Sequence, residues 1–415
     1  MEASSQVRPF EAPLWKQTRP LFALNDRVRN MDANTKASPL RGVMEDDEPI
    51  CTTFADLREA IAPSFGCDTD EIVVTVSTTD SISKILGGLE LGAGDEILTT
   101  NHEFYGALAP MALVRDRHRV VIKKIKLPVG NEQCAEDYVE RFGAAINSRT
   151  KLLLFSAPTA LTGTMLPIRM LTDLAQQRGL ISVIDGAHIP GMLNVNFHQL
   201  GADFIAGSGN KWQCGPPGTG ILYIRNKVLP QHNPGPLPAF WPIVSTWYPL
   251  AGGLPPRTTD STPSYDIAEY VQNVGSASLG KMQAFKRACD IWNEIGRDRI
   301  EQYVVSLGAY LKARLAEHWG EAAVYSPYRD ARLATALTSF NPLRRPEDVF
   351  NETMFQTFVA RLESEYRILL KYTQFEVEGV AAPHHAIRIS TRPFHNRHDI
   401  DELVEAMENL ANDMA

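Results

Sequence analysis

The sequence contains 415 residues, of which 44% are hydrophobic and 22% charged, a composition typical of a globular protein long enough for two domains. Its formal net charge of −8 argues against a nucleic-acid partner, because no basic excess is available to neutralise phosphates. No apolar run has the length of a membrane span, and the five scattered cysteines lack metal-ligand spacing, so we expect a cytoplasmic protein with reduced thiols, no metal and no membrane association.

The first predicted elements point to an anion site. A polar segment, 1–45, is expected to wrap over the rest of the protein, and a helix over 53–62 and a strand over 71–76 follow it. The hydroxyl-rich stretch 77–81 then leads into an apolar helix. A strand, small hydroxyl residues and a helix start together direct backbone N–H groups and the helix dipole at an anion. The same pattern also fits a simple helix cap.

Strands and helices alternate through the next part of the chain. The predicted strands cover 96–98, 120–127, 151–156 and 180–184, and the predicted helices cover 134–146 and 168–178. Alternation at this spacing predicts a parallel, doubly wound sheet with helices on both faces.

An acid and a lysine follow successive strands of this sheet. Asp185 ends a strand at the edge where open α/β sheets bind their ligands, and Lys211 lies in a Gly- and Pro-rich loop between short strands at 204–206 and 221–224. A desolvated lysine loses its proton easily and then attacks an aldehyde to give a Schiff base. Pyridoxal phosphate needs such a lysine and a carboxylate that keeps its ring nitrogen protonated. The alternative is a surface lysine in an ordinary hairpin.

The C-terminal part predicts a smaller domain. The loop 230–263, rich in Pro, Trp, Gly and Thr, is typical of a binding loop or a dimer contact. Helices over 274–296 and 298–318 lead into the predicted strands 333–340, 368–372 and 385–390 and the predicted helices 351–364 and 397–414. Arg388, in the last strand, offers a guanidinium fork for a substrate carboxylate, and the nearby Arg392 could share this role.

These segments together resemble the fold-type I pyridoxal-phosphate enzymes of the aminotransferase class V family, which includes isopenicillin N epimerase and the cysteine desulfurases. The matching segments are 98–103, 183–191, 210–212, 215–220 and 387–390. The epimerase-like branch fits better, through Asp-Gly-Ala-His and Lys-Trp. The resemblance implies an α/β fold, with a large cofactor-binding domain built on a mostly parallel, doubly wound sheet of the seven-stranded type and a smaller α+β domain. We place these domains at 46–290 and 291–415, with 1–45 packing on the small domain and the site.

The resemblance also implies residue roles around pyridoxal 5'-phosphate. Lys211 would bind the aldehyde and act as base, Asp185 would hold the proton on the ring nitrogen, and His102, with Tyr105 in reserve, would stack on the ring. Relatives have Asn or Ser at the position aligned with Ala160, so either Thr159 substitutes or the alignment slips by one residue. The predicted cofactor contacts are Thr78, Thr79 and Ser208 at the phosphate, His188 at the phenolic oxygen, and Thr159, His102, Asp185 and Lys211.

The substrate is expected to be a small amino acid whose carboxylate binds Arg388. Asn34, like Thr35, falls where relatives have a loop that closes over the substrate, and Arg392 is a further candidate. Relatives send the long loop across a homodimer interface to the neighbour's cofactor phosphate, and the candidates for that contact are Thr259, Thr262 and Tyr265.

The implied function is chemistry at the α-carbon of an amino acid, by transamination or epimerisation. Elimination of a β- or γ-substituent, including carbon–sulfur lyase chemistry, is the alternative. Persulfide chemistry of the desulfurase kind is disfavoured, because no cysteine follows Trp292. A non-catalytic protein that keeps only the fold fits less well, since Lys211, Asp185 and Arg388 occur together.

Overall fold

Three β-sheets and the surrounding helices make up the part of the chain that the computed structural model describes, residues 14–22, 29–31, 53–254 and 265–415. The strands are β1 (Arg29–Asn30), β2 (Ile72–Thr75), β3 (Glu96–Thr100), β4 (Val121–Ile125), β5 (Thr150–Ser156), β6 (Ile181–Gly186), β7 (Phe204–Ser208), β8 (Gly220–Ile224), β9 (Leu337–Phe340), β10 (Ile368–Leu369), β11 (Lys371–Phe375) and β12 (His384–Ser390). The α-helices are Leu14–Thr18, Phe54–Ile61, Thr78–Gly88, Tyr105–His118, Ala135–Ala145, Ile168–Gln177, Phe197–Leu200, Ile267–Gln272, Leu279–Ile295, Arg297–Trp319, Glu352–Tyr366 and Arg397–Asp413.

The large sheet has seven strands in the order β2-β8-β7-β6-β5-β3-β4. Strand β8 runs antiparallel to both of its neighbours, and the other pairs are parallel. The predicted α/β fold with a mostly parallel sheet is therefore confirmed. The carboxyl ends of β5, β6 and β7 meet at one edge of this sheet, which is where ligands bind in folds of this class.

The strands of the large sheet are buried on both faces. Leu152 and Leu154 of β5 pack into one hydrophobic core, whereas Leu153 and Phe155 of the same strand pack into the other. Successive side chains of a strand point to opposite faces, so a strand covered by helices on both sides reads as a continuous apolar run. This double coverage holds the strand ends, and the loops that follow them, in fixed positions.

A three-stranded antiparallel sheet, in the order β11-β12-β9, lies in the C-terminal part. The predicted strand 368–372 is interrupted at Leu370, so that β10 pairs in parallel with β1 of the N-terminal segment instead of joining this sheet. The backbone N–H of Ser390 also donates to the carbonyl of Met31 at 2.9 Å, and Thr18 Oγ1 donates to the carbonyl of Pro393 at 2.6 Å. The described parts of the N-terminal segment therefore contact the small domain.

Some helices differ from the sequence prediction. The helix Tyr105–His118 was not predicted because its buried face begins with Gly106 and Ala107 and includes Pro110, whereas Leu113 on another face is exposed. The helix Leu279–Ile295 starts later than expected and continues across residue 290, the boundary that we predict between the domains. Among the described residues, no helix combines the length and the apolar character needed to cross a bilayer.

Candidate active site

A cleft opens at the edge of the large sheet where β5, β6 and β7 end. The residues that line it are Ser77, Thr78, Thr79, Phe104, Gly106, Ser156, Pro158, Ala160, Asp185, Ala187, His188, Ser208, Asn210 and Lys211. Six of the predicted site residues are thus brought to one cavity: Thr78, Thr79, Asp185, His188, Ser208 and Lys211. Their roles remain predictions, but their convergence from separate segments of the chain is a property of the fold.

The helix Thr78–Gly88 points its N-terminus at this cleft. Ser77 caps the helix by accepting a hydrogen bond from the N–H of Asp80 at 3.1 Å, while the buried Thr78 Oγ1 has no hydrogen-bond partner among the described residues. A Cβ at Gly106 would lie 2.5 Å from Thr79 Oγ1, so a larger residue where the next helix approaches would force the Thr79 side chain to move. A helix N-terminus with an unsatisfied hydroxyl fits a phosphate group.

Lys211 lies in the turn between β7 and β8, and its amine faces a histidine and an aromatic ring. Its Nζ lies 3.3 Å from Nε2 of His188 and 5.8 Å from the centroid of the Phe104 ring. The other ring nitrogen of His188, Nδ1, accepts a hydrogen bond from Nε1 of Trp212 at 2.9 Å. Burial, helped by the positive charges of Lys211 and Arg388, lowers the pKa of His188 well below its ordinary value, so this imidazole is neutral.

Asp185 lies in β6 and is buried at the wall of the cleft. Its Oδ1 accepts a hydrogen bond from the N–H of Ala187 at 3.1 Å. Burial raises the pKa of Asp185, whereas the nearby Lys211 lowers it. A buried carboxylate without a bonded cation is best stabilised by a positively charged nitrogen. The site therefore fits a protonated pyridine nitrogen here, as it fits a phosphate at Thr78 and an aldehyde at Lys211.

A second buried carboxyl group, Glu103, lies beside this wall and was not identified from the sequence. Thr100 Oγ1 donates to Glu103 Oε1 at 2.6 Å, and Ser156 Oγ donates to Glu103 Oε2 at 2.5 Å. Burial raises the pKa of Glu103 to about 7, and the negative charge of Asp185 adds to the rise. An acidic residue three positions after the end of β3, a buried strand, was the available signal, because strand ends of this sheet carry the site.

Replacing Glu103 by glutamine should remove a pH-dependent penalty on stability. Between the ordinary value of 4.5 and about 7, the folded state keeps a proton that the unfolded state has lost. The free energy of unfolding therefore falls across this window as pH rises. The free energy of unfolding of Glu103→Gln, expressed relative to that of the wild type, should rise by about 3 kcal/mol between pH 4 and pH 8. Urea unfolding of the two cofactor-free proteins at both pH values measures this rise. If the free energies of unfolding of the variant and the wild type differed by the same amount at both pH values, the raised pKa of Glu103 would be contradicted.

His102 does not have its predicted position, and Phe104 takes its place at the cleft. The backbone N–H of His102 bonds to Thr100 Oγ1 at 3.1 Å in a tight turn, and the imidazole is fully buried with its Nδ1 3.4 Å from Thr162 Oγ1. His102 is not among the residues that line the cleft, whereas Phe104 is. Tyr105, the reserve candidate, is 72% exposed. Phe104, rather than His102, is therefore the aromatic ring placed at the cleft, and which residue stacks on the cofactor stays a prediction.

Thr159 is also placed away from the cleft. Its Oγ1 accepts a hydrogen bond from the N–H of Thr164 at 3.0 Å and shares another with Thr162 Oγ1 at 2.9 Å. The residues on either side of it, Pro158 and Ala160, line the cleft instead. The hydroxyl of Thr159 is engaged within its own turn and does not line the cleft, so its contact with the cofactor stays a prediction.

The two arginines predicted to bind the substrate have different surroundings. Arg388 is buried and its Nη1 donates to the carbonyl of Ala160 at 2.6 Å, which places it next to the wall of the cleft. Arg392 donates from Nη2 to Cys214 Sγ at 2.7 Å, and its guanidinium lies 5.4 Å from the ring centroid of Trp212. Arg392 is buried by these contacts, and neither arginine is among the residues that line the cleft, so the substrate role of both stays a prediction.

The remaining predicted contacts lie in the loops. Asn34 and Thr35 of the N-terminal segment, and Thr259 and Thr262 of the long loop, fall outside the described residues. Tyr265 is described, and its ring packs edge to face on Tyr270 at 5.7 Å between centroids.

Known proteins of one enzyme family are similar to this chain. The family model described as aminotransferase class-V matches residues 23–352. The chain is 27% identical to an isopenicillin N epimerase of Amycolatopsis lactamdurans over 399 residues, covering 95% of this chain and 92% of that protein. It is 29% identical to a probable cysteine desulfurase of Halalkalibacterium halodurans over 322 residues, covering 75% and 72%.

The fold also has counterparts among solved structures. The apo structure of a cysteine desulfurase from Thermococcus onnurineus NA1 superposes with a TM-score of 0.74 at 20% identity, covering 96% of this chain and 98% of that chain. At this level of identity the likeness concerns the fold alone.

Proposed function

The chain belongs to the aminotransferase class-V family, whose members depend on pyridoxal phosphate, and on this basis we propose that it transaminates or epimerises an amino acid at its α-carbon. The observation that carries the proposal is the position of Lys211, whose Nζ faces His188 and Phe104 in a cleft that also contains Asp185. An amine, a carboxylate and a helix N-terminus in one cavity match the aldehyde, the ring nitrogen and the phosphate of this cofactor.

Each part of the cleft has a proposed task in holding the cofactor. Lys211 binds the aldehyde, Asp185 holds a proton at the ring nitrogen, and Phe104 packs against the ring. When bound, the cofactor withdraws electrons from the α-carbon of the substrate and so makes its proton removable. The proposed contacts to the phosphate and the phenolic oxygen are made by Thr78, Thr79, Ser208 and His188.

The proton transfers are assigned to Lys211. Its Nζ takes the α-proton as general base and returns it as general acid, because it is the amine at the wall of the cleft. Phe104 excludes water from the same space but has no proton to give, unlike the histidine that the sequence predicted for this position. Arg388 would hold the substrate carboxylate and so present the α-hydrogen to Lys211.

Elimination of a β- or γ-substituent, including cleavage of a carbon–sulfur bond, is the second candidate. The relationship to a probable cysteine desulfurase over 322 residues favours it, since that name implies loss of a sulfur substituent. The sequence has no cysteine after Cys289, so the sulfur would leave directly rather than transfer to a protein thiol of the C-terminal part. A protein without catalytic activity remains the least favoured candidate.

Incubation of the purified protein with a panel of L- and D-amino acids separates these reactions. Transamination releases a 2-oxo acid, epimerisation inverts the α-carbon, and elimination releases the side-chain group as sulfide or another leaving group. Exchange of the α-hydrogen with solvent deuterium, followed by NMR, detects all three at their shared first step. A protein that binds the cofactor covalently but exchanges no α-hydrogen with any of the amino acids would overturn the proposal.

Replacing Arg388 by lysine should weaken substrate binding more than it slows turnover. Lysine keeps the charge but loses the guanidinium fork, which costs about 10- to 100-fold in KM for a two-point contact with a carboxylate. The measurement is kcat and KM for the best substrate of the panel. The matched control is Arg392→Lys, which disturbs a buried arginine bonded to Cys214 and should lower stability while KM is unchanged. Equal KM increases in both variants would contradict the assignment.

We also propose a cytoplasmic homodimer that binds no nucleic acid. Trp241, Trp247 and Leu250 in the loop after β8 are exposed, and large apolar side chains exposed along one loop fit a subunit interface. The described cysteines, Cys67, Cys134, Cys214 and Cys289, are free thiols, which favours a reducing compartment.

A further inference from the structure

Trp212, the residue that follows the reactive lysine, makes a hydrogen bond that determines how its neighbouring histidine is protonated. The indole is buried, with 1% of its surface exposed, and its Nε1 donates to His188 Nδ1 at 2.9 Å. An indole N–H is only a donor, so the nitrogen that it contacts must have its lone pair available. His188 therefore carries no hydrogen on Nδ1.

The position of the remaining hydrogen follows from this. A neutral imidazole carries one N–H, and with Nδ1 acting as acceptor that hydrogen is on Nε2. Nε2 is the atom that lies 3.3 Å from Lys211 Nζ. A doubly protonated ring would place two N–H groups face to face at Trp212, and burial lowers the pKa of His188 well below its ordinary value. The carboxylate of Asp185 also acts on Lys211 and favours its ammonium form, so the Nε2–H of His188 acts against it.

We propose that Trp212 is a positioning residue that locks His188 as the Nε2–H tautomer and thereby favours the neutral form of the Lys211 amine. An Nε2–H donates to an amine lone pair, whereas it repels an ammonium group at the same distance. Trp212 acts through His188 and touches no reacting atom. The inference deepens the proposed function and rests on it, since a neutral Lys211 is the form that attacks an aldehyde and removes an α-proton.

The fold holds the side chains of His188, Lys211 and Trp212 in fixed relative positions. The turn that contains His188 ends at Gly191, which has a φ of +83°, and a Cβ there would lie 2.2 Å from the backbone nitrogen of Gln213. The turn that contains His188 and the turn that contains Lys211 are thus in direct backbone contact, and only glycine permits this approach. The guanidinium carbon of Arg392 lies 5.4 Å from the centroid of the buried Trp212 ring.

The first test measures the amine in the full-length, cofactor-free protein. The rate of covalent coupling to pyridoxal 5'-phosphate is followed by absorbance across pH 6–10, and the midpoint reports when Lys211 becomes neutral. Trp212→Phe keeps the aromatic ring but removes the N–H, and it should raise this midpoint by about one pH unit or more. At pH 7 that shift corresponds to a rate of coupling about tenfold lower.

The matched control is Trp319→Phe. Trp319 is half-buried in the small domain, and its Nε1 donates to the carbonyl of Pro342 at 2.8 Å, so the same substitution removes an indole hydrogen bond away from the cleft. This variant should leave the midpoint unchanged. In a His188→Gln background, adding Trp212→Phe should produce no further shift. Equal midpoints for Trp212→Phe and the wild type, or equal shifts in Trp212→Phe and Trp319→Phe, would overturn the inference.

A second measurement needs no Trp212 variant and no cofactor. In cofactor-free wild type labelled with ¹⁵N-histidine, the His188 signals, assigned from their absence in His188→Gln, should show a hydrogen on Nε2 and none on Nδ1 at pH 7. An imidazolium, or a hydrogen on Nδ1, would refute the tautomer lock. Failure of the wild type to couple with pyridoxal phosphate would refute the proposed function instead, so the two failures are distinguishable.

Discussion

Replacing Lys211 by alanine should abolish covalent attachment of the cofactor and lower turnover by about 10³-fold or more. The variant removes both the amine that binds the aldehyde and the base assigned to the α-proton. Reduction with borohydride followed by intact-protein mass spectrometry makes the difference measurable. The wild type should gain the mass of one cofactor per chain, and Lys211→Ala should gain none.

The matched control for this variant is Lys281→Ala. Lys281 is exposed and lies in the helix Leu279–Ile295. It is close to Gly218 of the loop that contains Lys211, but it does not line the cleft. Its loss should leave both the added mass and the turnover unchanged. A Lys211→Ala protein that still gains the cofactor's mass after reduction would show that another amine forms the bond, and the proposed site would then be wrong.

Much of the large sheet could be predicted from the sequence, because its strands are continuous apolar runs separated by amphipathic helices. The strand ends at Ser156, Gly186 and Ser208 lie within two residues of the predicted ends. Where the pattern was weak, the prediction failed. The helix Tyr105–His118 buries small residues such as Ala107 and so has no strong apolar face to detect.

The site was predictable to a similar extent, and for a similar reason. Asp185 and Lys211 follow regular strands, so their positions follow from the sheet. His102 and Thr159 lie in turns whose direction depends on local hydrogen bonds, to Thr100 and to Thr164, that a sequence pattern does not reveal. Phe104 was missed for this reason, since the turn decides which of the residues after a strand faces the cleft.

The tautomer of His188 shows a further limit of sequence reasoning. Asp-Gly-Ala-His and Lys-Trp were both recognised as matching segments, yet their direct contact through Trp212 is a property of the folded chain. Two segments about twenty residues apart become one functional unit because β6 and β7 are adjacent parallel strands, and their carboxyl ends meet at the same edge.

Asp185→Asn should reduce turnover by about 10²- to 10⁴-fold without destabilising the cofactor-free protein. Asparagine has nearly the same shape, but it cannot hold a proton at the ring nitrogen of the cofactor as a carboxylate does. Burial raises the pKa of Asp185, so in the empty cleft its charge opposes folding at neutral pH, and removing that charge should leave the free energy of unfolding equal or higher. Turnover and urea unfolding at pH 7.5 measure the two effects.

Asp203, a buried carboxylate away from the cleft, provides the contrasting control. Asp203, next to the start of β7, accepts a hydrogen bond from Arg225 Nη2 at 2.7 Å and another from the N–H of Ser182 at 2.9 Å. Asp203→Asn leaves a buried guanidinium without its charge partner and should cost about 3–5 kcal/mol of stability, while turnover per folded molecule is unchanged. The two variants should therefore show opposite patterns, with Asp185→Asn losing chemistry and Asp203→Asn losing stability. A loss of turnover in Asp185→Asn that merely follows a loss of folded protein would mean that this carboxylate supports the fold rather than the cofactor.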